Sequence, residues 1–163
     1  MMDSIIGIDA GKSGGFAWKI GEVIGSQKMP DTDRDVIELI DELIEMSDSQ
    51  EIPAPRVYLE QVGGYIGVPQ PASSMFNFGR GYGFLIGVVM SKNLSLSLIR
   101  PQMWQKIIGT GKKGERSTTQ WKNHLKDIAQ KLYPNQKITL STSDAFLILE
   151  TGIARERDVT GVE

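Results

Sequence analysis

The chain has 163 residues, of which 40% are apolar and 23% charged, so we expect one globular domain over residues 1–163. It contains no cysteine and only one histidine, His124, which excludes a disulfide framework and a thiolate zinc site. No segment has the roughly 18 to 20 apolar residues of a membrane span or the pattern of a signal peptide. We therefore expect a cytoplasmic protein with no membrane partner.

The net charge of −2 hides a strong segregation of charge along the chain. Residues 100–137 carry nine Lys or Arg against two acids, a local balance of +7, so the remainder totals −9. Such a segment is either a solvated helical face or a surface that contacts a phosphate backbone. Charge alone leaves both interpretations open.

The first part of the chain predicts four strands and one helix. Residues 4–9 (SIIGID), 14–20 and 22–30 are short strand patterns separated by turn glycines, which indicates an antiparallel three-strand meander. Residues 30–46 have apolar side chains at helical spacing, with Thr32 or Asp33 as the N-cap. Residues 56–62 form a second apolar strand pattern. Both apolar strands end in an acid, Asp9 in the first and Glu60 in the second.

The second part predicts a largely helical arrangement around one more strand. A glycine and proline loop after residue 62 leads into an apolar helix that ends near Met90. The pattern then predicts a strand at 94–100, a proline-initiated helix at 101–109, a basic glycine loop at 110–117, a capped helix at 117–134, a short extended piece at 137–140 and a final helix at 141–157. Ser141, Thr142 or Ser143 caps the final helix, and Asp144 lies in its first turn.

Asp9, Glu60 and Asp144 converge only if the two apolar strands are neighbours and the last helix packs across their ends. Carboxylates grouped in this way suit Mg²⁺, which prefers oxygen ligands and which supports phosphodiester hydrolysis. Each acid also has a simpler interpretation: Asp9 as a turn former, Glu60 as the partner of a surface lysine, and Asp144 as a favourable charge at a helix N-terminus. Taken together, the three favour a metal site.

This order of strands, helices and acids is the layout of the RNase H-like superfamily, an α/β fold whose mixed five-stranded sheet contains the meander and is flanked by helices. The chain further resembles RuvC-type Holliday junction resolvases, especially the phage members and the related chloroplast resolvase. The resemblance follows most of the chain in order, through the motifs GIDAGKSGGFAW, VYLEQV, FNFGRGYGFLIGVV, RPQMWQK and SDAFLILETG.

The resemblance implies a homodimeric endonuclease, dependent on Mg²⁺ or Mn²⁺, that nicks two opposing strands of a four-way DNA junction. It also implies that Asp9, Glu60 and Asp144 are the catalytic metal ligands. One departure is that the family's fourth catalytic acid or histidine corresponds here to Ser141. Glu150 is a possible substitute, but it lies six residues after Asp144 and points to a different side of the helix.

Aromatic residues alternate with glycine between Gly63 and Gly87. Phe84 lies in an apolar run and is expected to pack in the core. Tyr65 belongs to the same region. Residues bracketed by Ser, Asn, Gly or Arg80 are candidates to stack on bases opened at the crossover or to form the dimer contact: Phe76, Phe78 and Tyr82. Arg80 is grouped with them as a DNA contact.

The basic glycine loop supplies a second DNA contact. Lys112, Lys113 and Arg116 need no packing role there, so we interpret them as phosphate contacts. His124 shares a helix side with Trp121 and Ile128 and is more typical of a core or boundary histidine than of a catalytic one.

Three functions are consistent with the sequence. The first is a junction resolvase, the second a generic RNase H-like nuclease, and the third a junction-binding module with weakened catalysis, which the missing fourth acid favours. No small-molecule substrate is expected. An actin-like phosphotransferase would need two such domains and more than twice the length.

Overall fold

A computed structural model describes residues 3–63 and 69–160, so Tyr65 of the aromatic region lies outside the described residues. Its sheet has the strand order β3-β2-β1-β4-β5. Pairing is antiparallel within the meander and parallel from β1 to β4 and from β4 to β5. The strands are β1 (Ser4–Asp9), β2 (Gly15–Ile20), β3 (Val23–Lys28), β4 (Arg56–Glu60) and β5 (Leu96–Ile99). The predicted mixed five-stranded α/β sheet is confirmed.

The described helices are α1 (Asp33–Ser49), α2 (Ala72–Ser91), α3 (Pro101–Ile108), α4 (Thr118–Leu132) and α5 (Ser143–Thr160). Thr32 caps α1, because its hydroxyl accepts a hydrogen bond from the backbone N–H of Asp35. Ser117 and Gln120 form a reciprocal capping box at the start of α4. In residues 3–63 and 69–160, no helix is long and apolar enough to cross a membrane.

Side chains that alternate along the strands supply two hydrophobic cores, one on each face of the sheet. Ile5 of β1 and Tyr58 of β4 belong to the core that also contains buried residues of α4 and α5. Ile6 and Val57, the sequence neighbours of Ile5 and Tyr58, pack instead with α1 and α2. The sheet is therefore covered on both faces, and its strand ends remain as the place where the acids lie.

Helix α5 lies directly against the centre of the sheet. A Cβ atom on Gly7 of β1 would stand 2.5 Å from the carbonyl oxygen of Ala145 and 2.5 Å from the backbone nitrogen of Leu149. Only glycine allows backbone and backbone to approach this closely. This contact, which we call the α5 seat, fixes the beginning of α5 beside the end of β1.

The segment at 137–140, for which a short extended piece is predicted, pairs with no strand of the described chain. The side-chain oxygen of Gln130 accepts from the backbone N–H of Ile138, and the Gln130 amide donates to the carbonyl of Gln136. Thr139 then forms turn hydrogen bonds with Thr142. Side chains of α4 and a turn satisfy the backbone that a sheet would otherwise have paired.

Candidate active site

Asp9 and Glu60 are brought together by the parallel pairing of β1 with β4. The last paired residues are Ile8 and Leu59, so Asp9 and Glu60 occupy the next positions on adjacent strands. On the other side of β1, Asp9 pairs with Gly15 of β2. Both acids are mostly buried, at the strand end where an α/β sheet commonly binds a ligand.

Asp144 approaches the same strand end from α5. It lies in the first turn of that helix, immediately before Ala145, whose carbonyl oxygen contacts Gly7 in the α5 seat. Asp144 is also mostly buried. The expected packing of the last helix across β1 and β4 is confirmed by its contacts with both strands.

Burial raises the pKa values of all three carboxylates, and neighbouring carboxylates raise those of Asp9 and Glu60 further. Burial raises the pKa of Asp9 well above its usual range, and the charges of Asp144 and Glu60 raise it further. Burial raises the pKa of Glu60 to about 7, with a further increase from Asp144 that is opposed by a hydrogen bond. Burial likewise raises the pKa of Asp144. The acids form an electrostatically coupled cluster that lacks enough positive charge of its own.

The donor set fits a divalent cation such as Mg²⁺, because all three groups are oxygen ligands and a cation would relieve their mutual repulsion. In residues 3–63 and 69–160, no three acids or histidines already lie close enough to share one ion. Binding through Asp9, Glu60 and Asp144 therefore requires movement of their side chains. None of the three forms an ion pair in the described chain, so the surface salt bridge considered for Glu60 finds no support there.

Two residues that the sequence analysis did not assign also face this cluster. The indole nitrogen of Trp104 donates a 2.7 Å hydrogen bond to Oε2 of Glu60. Lys122, in the second turn of α4, lowers the pKa values of both Asp9 and Asp144. Trp104 belongs to the RPQMWQK motif, for which the sequence predicts no contact with the acids, and Lys122 is one of several lysines in a basic segment. The order of elements alone does not distinguish them.

Ser141 lies beside the acids in the turn before α5. Its carbonyl oxygen would be 2.8 Å from a Cβ atom on Gly15, the residue that pairs with Asp9. The position expected to hold a fourth acid thus borders the cluster but supplies no carboxylate. Glu150 contacts Tyr133, whose hydroxyl donates a 2.7 Å hydrogen bond to Oε2 of Glu150; it lies six residues after Asp144, on a different side of α5.

The loop from Gly109 to Ser117, which we call the basic loop, joins α3 to α4, and Lys112, Lys113 and Arg116 are exposed in it. Arg116 donates to the carbonyl of Lys112 and lies 5.7 Å from the centre of the Trp121 ring. Lys113 contacts the hydroxyl of Thr118 at 3.4 Å. The loop therefore presents three cations to solvent.

His124 of α4 contacts the first part of the basic loop. Its Nε2 lies 2.8 Å from the carbonyl oxygen of Thr110, and its ring stacks on Trp121 with 5.3 Å between centroids. It is half-buried. The prediction of a boundary histidine is confirmed.

The aromatic candidates on α2 have different surroundings. Phe76 is 72% exposed. Phe78 stacks on Tyr82, with 6.3 Å between ring centroids, and approaches Gly11 in the turn that follows Asp9. Tyr82 packs against the core shared with α1, as does Phe84, for which core packing is confirmed.

Arg80 is a weaker candidate for DNA contact than its sequence position indicates. Its guanidinium forms an ion pair with Asp33 at the start of α1. Two hydrogen bonds to the Asp33 carboxylate orient the guanidinium toward α1, and the Arg80 side chain stays 57% exposed. A phosphate would have to compete with Asp33 for the same donors.

Comparison with known proteins identifies the fold. No protein-family model matches the chain, and no curated protein sequence is detectably similar to it. The chain is similar to the structure of Thermus thermophilus RuvC, with a TM-score of 0.59, 12% identity and 96% of each chain covered. It is also similar to T. thermophilus RuvC in complex with Holliday junction substrate, with a TM-score of 0.51, 10% identity, and 89% and 88% of the two chains covered.

These likenesses extend over 96% and 89% of the chain. Identity of 10–12% establishes a shared fold and no more. The predicted likeness to phage members in particular stays a prediction. The chain has the RNase H-like fold of RuvC.

Proposed function

We propose that the chain is a structure-selective endonuclease that resolves four-way DNA junctions by symmetric, metal-dependent hydrolysis of two opposing strands. The observation that carries the proposal is the convergence of Asp9, Glu60 and Asp144 from three separate elements. A second support is that one structure with this fold is RuvC in complex with Holliday junction substrate. We assign the protein to the cytoplasm, where such DNA is accessible.

In this proposal, Asp9, Glu60 and Asp144 hold Mg²⁺, for which Mn²⁺ substitutes. The bound ion would supply a nucleophilic water at neutral pH and would neutralise the leaving oxygen. The chain's own acids bind and orient the ion, and their burial limits competing solvent. Lys122 adds positive charge beside Asp9 and Asp144, where a phosphate would otherwise meet net negative charge.

DNA contact is assigned to two surfaces around the acids. Lys112, Lys113 and Arg116 of the basic loop contact phosphates, which position the substrate without reading its sequence. The aromatic candidates Phe76, Phe78 and Tyr82, with Arg80, contact the crossover. Phe76 is the strongest of these because its ring is 72% exposed, whereas Tyr82 packs partly into the core.

A homodimer would give each of the two strands its own active site, related by the two-fold symmetry of the junction. We assign the contact to the side of α2 that carries Gly79, Gly83, Gly87 and Met90, which we call the outer face of α2; Phe76, at the N-terminal end of the same side, stays assigned to DNA. These positions share one side of the helix, since they recur at spacings of three and four residues. Phe76 and Met90 are 72% and 62% exposed, which leaves large apolar side chains uncovered.

A second candidate function is a junction-binding module with weakened catalysis. Two observations favour it: Ser141 supplies no fourth carboxylate, and the described acids do not already form a metal-binding group. The basic loop and the exposed ring of Phe76 would bind junction DNA equally well in such a protein. The two functions therefore differ in cleavage and not in recognition.

The test is incubation of the protein with a synthetic four-way junction, an RNA/DNA hybrid and a linear duplex, each in Mg²⁺ and in EDTA. Symmetric nicks in the junction, in Mg²⁺ alone, are the expected result. Preferential cleavage of the hybrid would indicate a generic RNase H-like nuclease instead. Tight junction binding with no cleavage in either Mg²⁺ or Mn²⁺ would indicate the binding module.

A further inference from the structure

The side chain of Trp104 has an unusual combination of burial and polar contact. Its ring is only 1% exposed and packs in the core shared by α4 and α5. Its single donor, the indole N–H, is aimed at Oε2 of Glu60 at 2.7 Å. A rigid, fully packed ring cannot follow a mobile acceptor, so the ring restricts the carboxylate.

The backbone of Glu60 is held by the strand that leads to Trp104. Glu60 pairs with Ile99 of β5, and the N–H of Gln61 donates a 2.7 Å hydrogen bond to the carbonyl of Ile99. Helix α3 begins two residues later, at Pro101, and carries Trp104 in its first turn. The backbone positions of Glu60 and Trp104 are therefore linked through β5 and the start of α3.

Glu60 Oε1 has no hydrogen-bond partner in the part of the chain that the structure describes. One carboxylate oxygen is occupied by the indole, and the other remains available at the acid cluster. A hydrogen bond of this kind selects one rotamer of a ligand before the ligand is used.

We propose that Trp104 is a positioning residue: its indole N–H holds one oxygen of Glu60 so that the other is presented to the divalent cation. The inference rests on the proposed function only in taking Glu60 as a metal ligand. Trp104 itself touches neither metal nor DNA.

The chain offers a matched control in Trp18 of β2. The indole nitrogen of Trp18 is also buried, but it has no hydrogen-bond partner among the residues that the structure describes. Trp104→Phe and Trp18→Phe each remove one buried indole N–H while keeping an aromatic ring. Only Trp104→Phe removes a hydrogen bond to a carboxylate, that of Glu60.

The first experiment measures Mn²⁺ affinity of both folded variants by calorimetry. Trp104→Phe should weaken binding by about 10- to 100-fold, as is usual when a metal ligand is deprived of its hydrogen-bond partner. Trp18→Phe should leave it unchanged. Equal affinities of Trp104→Phe and the unmodified protein would overturn the proposal.

The second experiment uses the unmodified protein and therefore does not depend on the folding of a variant. The three tryptophans give three indole N–H signals in a nitrogen-15 NMR spectrum, which the two variants and Trp121→Phe assign. Added Mg²⁺ should displace the Trp104 signal far more than the Trp18 signal. A Trp104 signal that moves no more than that of Trp18 would contradict the inference.

Junction cleavage separates this inference from the proposed function. Nicking by the unmodified protein, with a kcat lowered by Trp104→Phe at unchanged KM, would support both. Nicking with full kcat in Trp104→Phe would overturn the positioning role alone. No nicking, together with Mg²⁺ displacement of the Trp104 signal, would overturn the proposed function and support the positioning role.

Discussion

The α5 seat and the outer face of α2 both contain glycine, and they use it in opposite ways. At the α5 seat, a Cβ atom on Gly7 would meet backbone atoms of α5 at 2.5 Å. On the outer face of α2, a Cβ atom on Gly79, Gly83 or Gly87 would meet nothing within 4 Å in the described chain. Packing explains the first glycine, whereas no contact within the described residues explains the others.

The same difference distinguishes the two functional regions, because contacts within the chain fix one of them and leave the other largely unrestrained. Asp9, Glu60 and Asp144 are mostly buried, and the sheet register and the α5 seat fix the positions of their backbones before any substrate binds. Phe76 and the basic loop are exposed and are restrained by few contacts. We expect their side chains to become ordered only when DNA or a second copy of the chain binds to them.

The largest effect is expected from the acids. Asp9→Asn, Glu60→Gln and Asp144→Asn should each reduce junction nicking by roughly 10²- to 10³-fold or more, because an amide keeps the shape but loses the charge that binds the cation. Junction affinity should stay nearly constant, since the exposed surfaces are intact. Cleavage rates and electrophoretic binding assays measure the two quantities, and normal nicking by any variant would remove that residue from the site.

The next largest effect tests the α5 seat. Gly7→Ala should lower the free energy of unfolding by about 3 kcal/mol or more, because the added methyl group meets backbone that cannot rotate away. Urea unfolding measures the change. A variant of unchanged stability would show that α5 can lift from β1 without loss, and the buried acids would then not be fixed in advance.

The pH dependence of stability tests the same region without a substitution. Burial raises the pKa of Glu60 to about 7 from 4.5, so the folded protein retains this proton at a pH where the unfolded chain has released it. Without metal, the contribution of Glu60 to stability is full below pH 4.5 and is lost as the pH rises to about 7. Urea unfolding in EDTA should show a decline on the order of 3 kcal/mol across that window.

Glu60→Gln is the control for this decline. It should flatten the dependence of stability on pH and should raise stability above pH 7, where the unmodified carboxylate is charged and buried. Saturating Mg²⁺ should likewise oppose the decline in the unmodified protein, because the ion binds the ionised acids. An identical pH dependence in Glu60→Gln would show that other groups cause it.

The buried region was also the more predictable one from sequence. The strand patterns that end in Asp9 and Glu60 and the helix that begins near Asp144 determine topology, and topology brings the three together. The contacts of Trp104 and Lys122 were not predictable, since they depend on how α3 and α4 are rotated against the sheet. A tryptophan in an apolar stripe and a lysine in a basic segment look the same whether or not they face an acid.

Replacement of Lys112, Lys113 and Arg116 by alanine tests the exposed region. Removal of each phosphate-binding cation should flatten the slope of log affinity against log salt concentration by roughly 0.9. In a dimer each substitution removes two such contacts. The affinities for junction and for duplex should fall by similar factors.

Phe76→Ala should instead lower the ratio of junction affinity to duplex affinity, with little change in the salt slope. Titrations at several salt concentrations separate the two, and an unchanged slope in the triple variant would make the loop only a solvated surface.

The smallest effect is expected from a substitution on the outer face of α2, and it tests whether a second copy of the chain packs there. Gly83→Ala should raise the stability of the isolated chain by up to about 1 kcal/mol, because alanine is the better helix former and has free space there. If a second copy packs on the outer face of α2, the same methyl group should weaken the dimer. Gly81→Ala is the matched control, since Gly81 also has free space but lies on another side of the helix. Thermal unfolding of dilute protein should show a similar gain for both variants, whereas sedimentation should show weakened association for Gly83→Ala alone. Equal association of both variants would mean that the outer face of α2 is not the dimer contact.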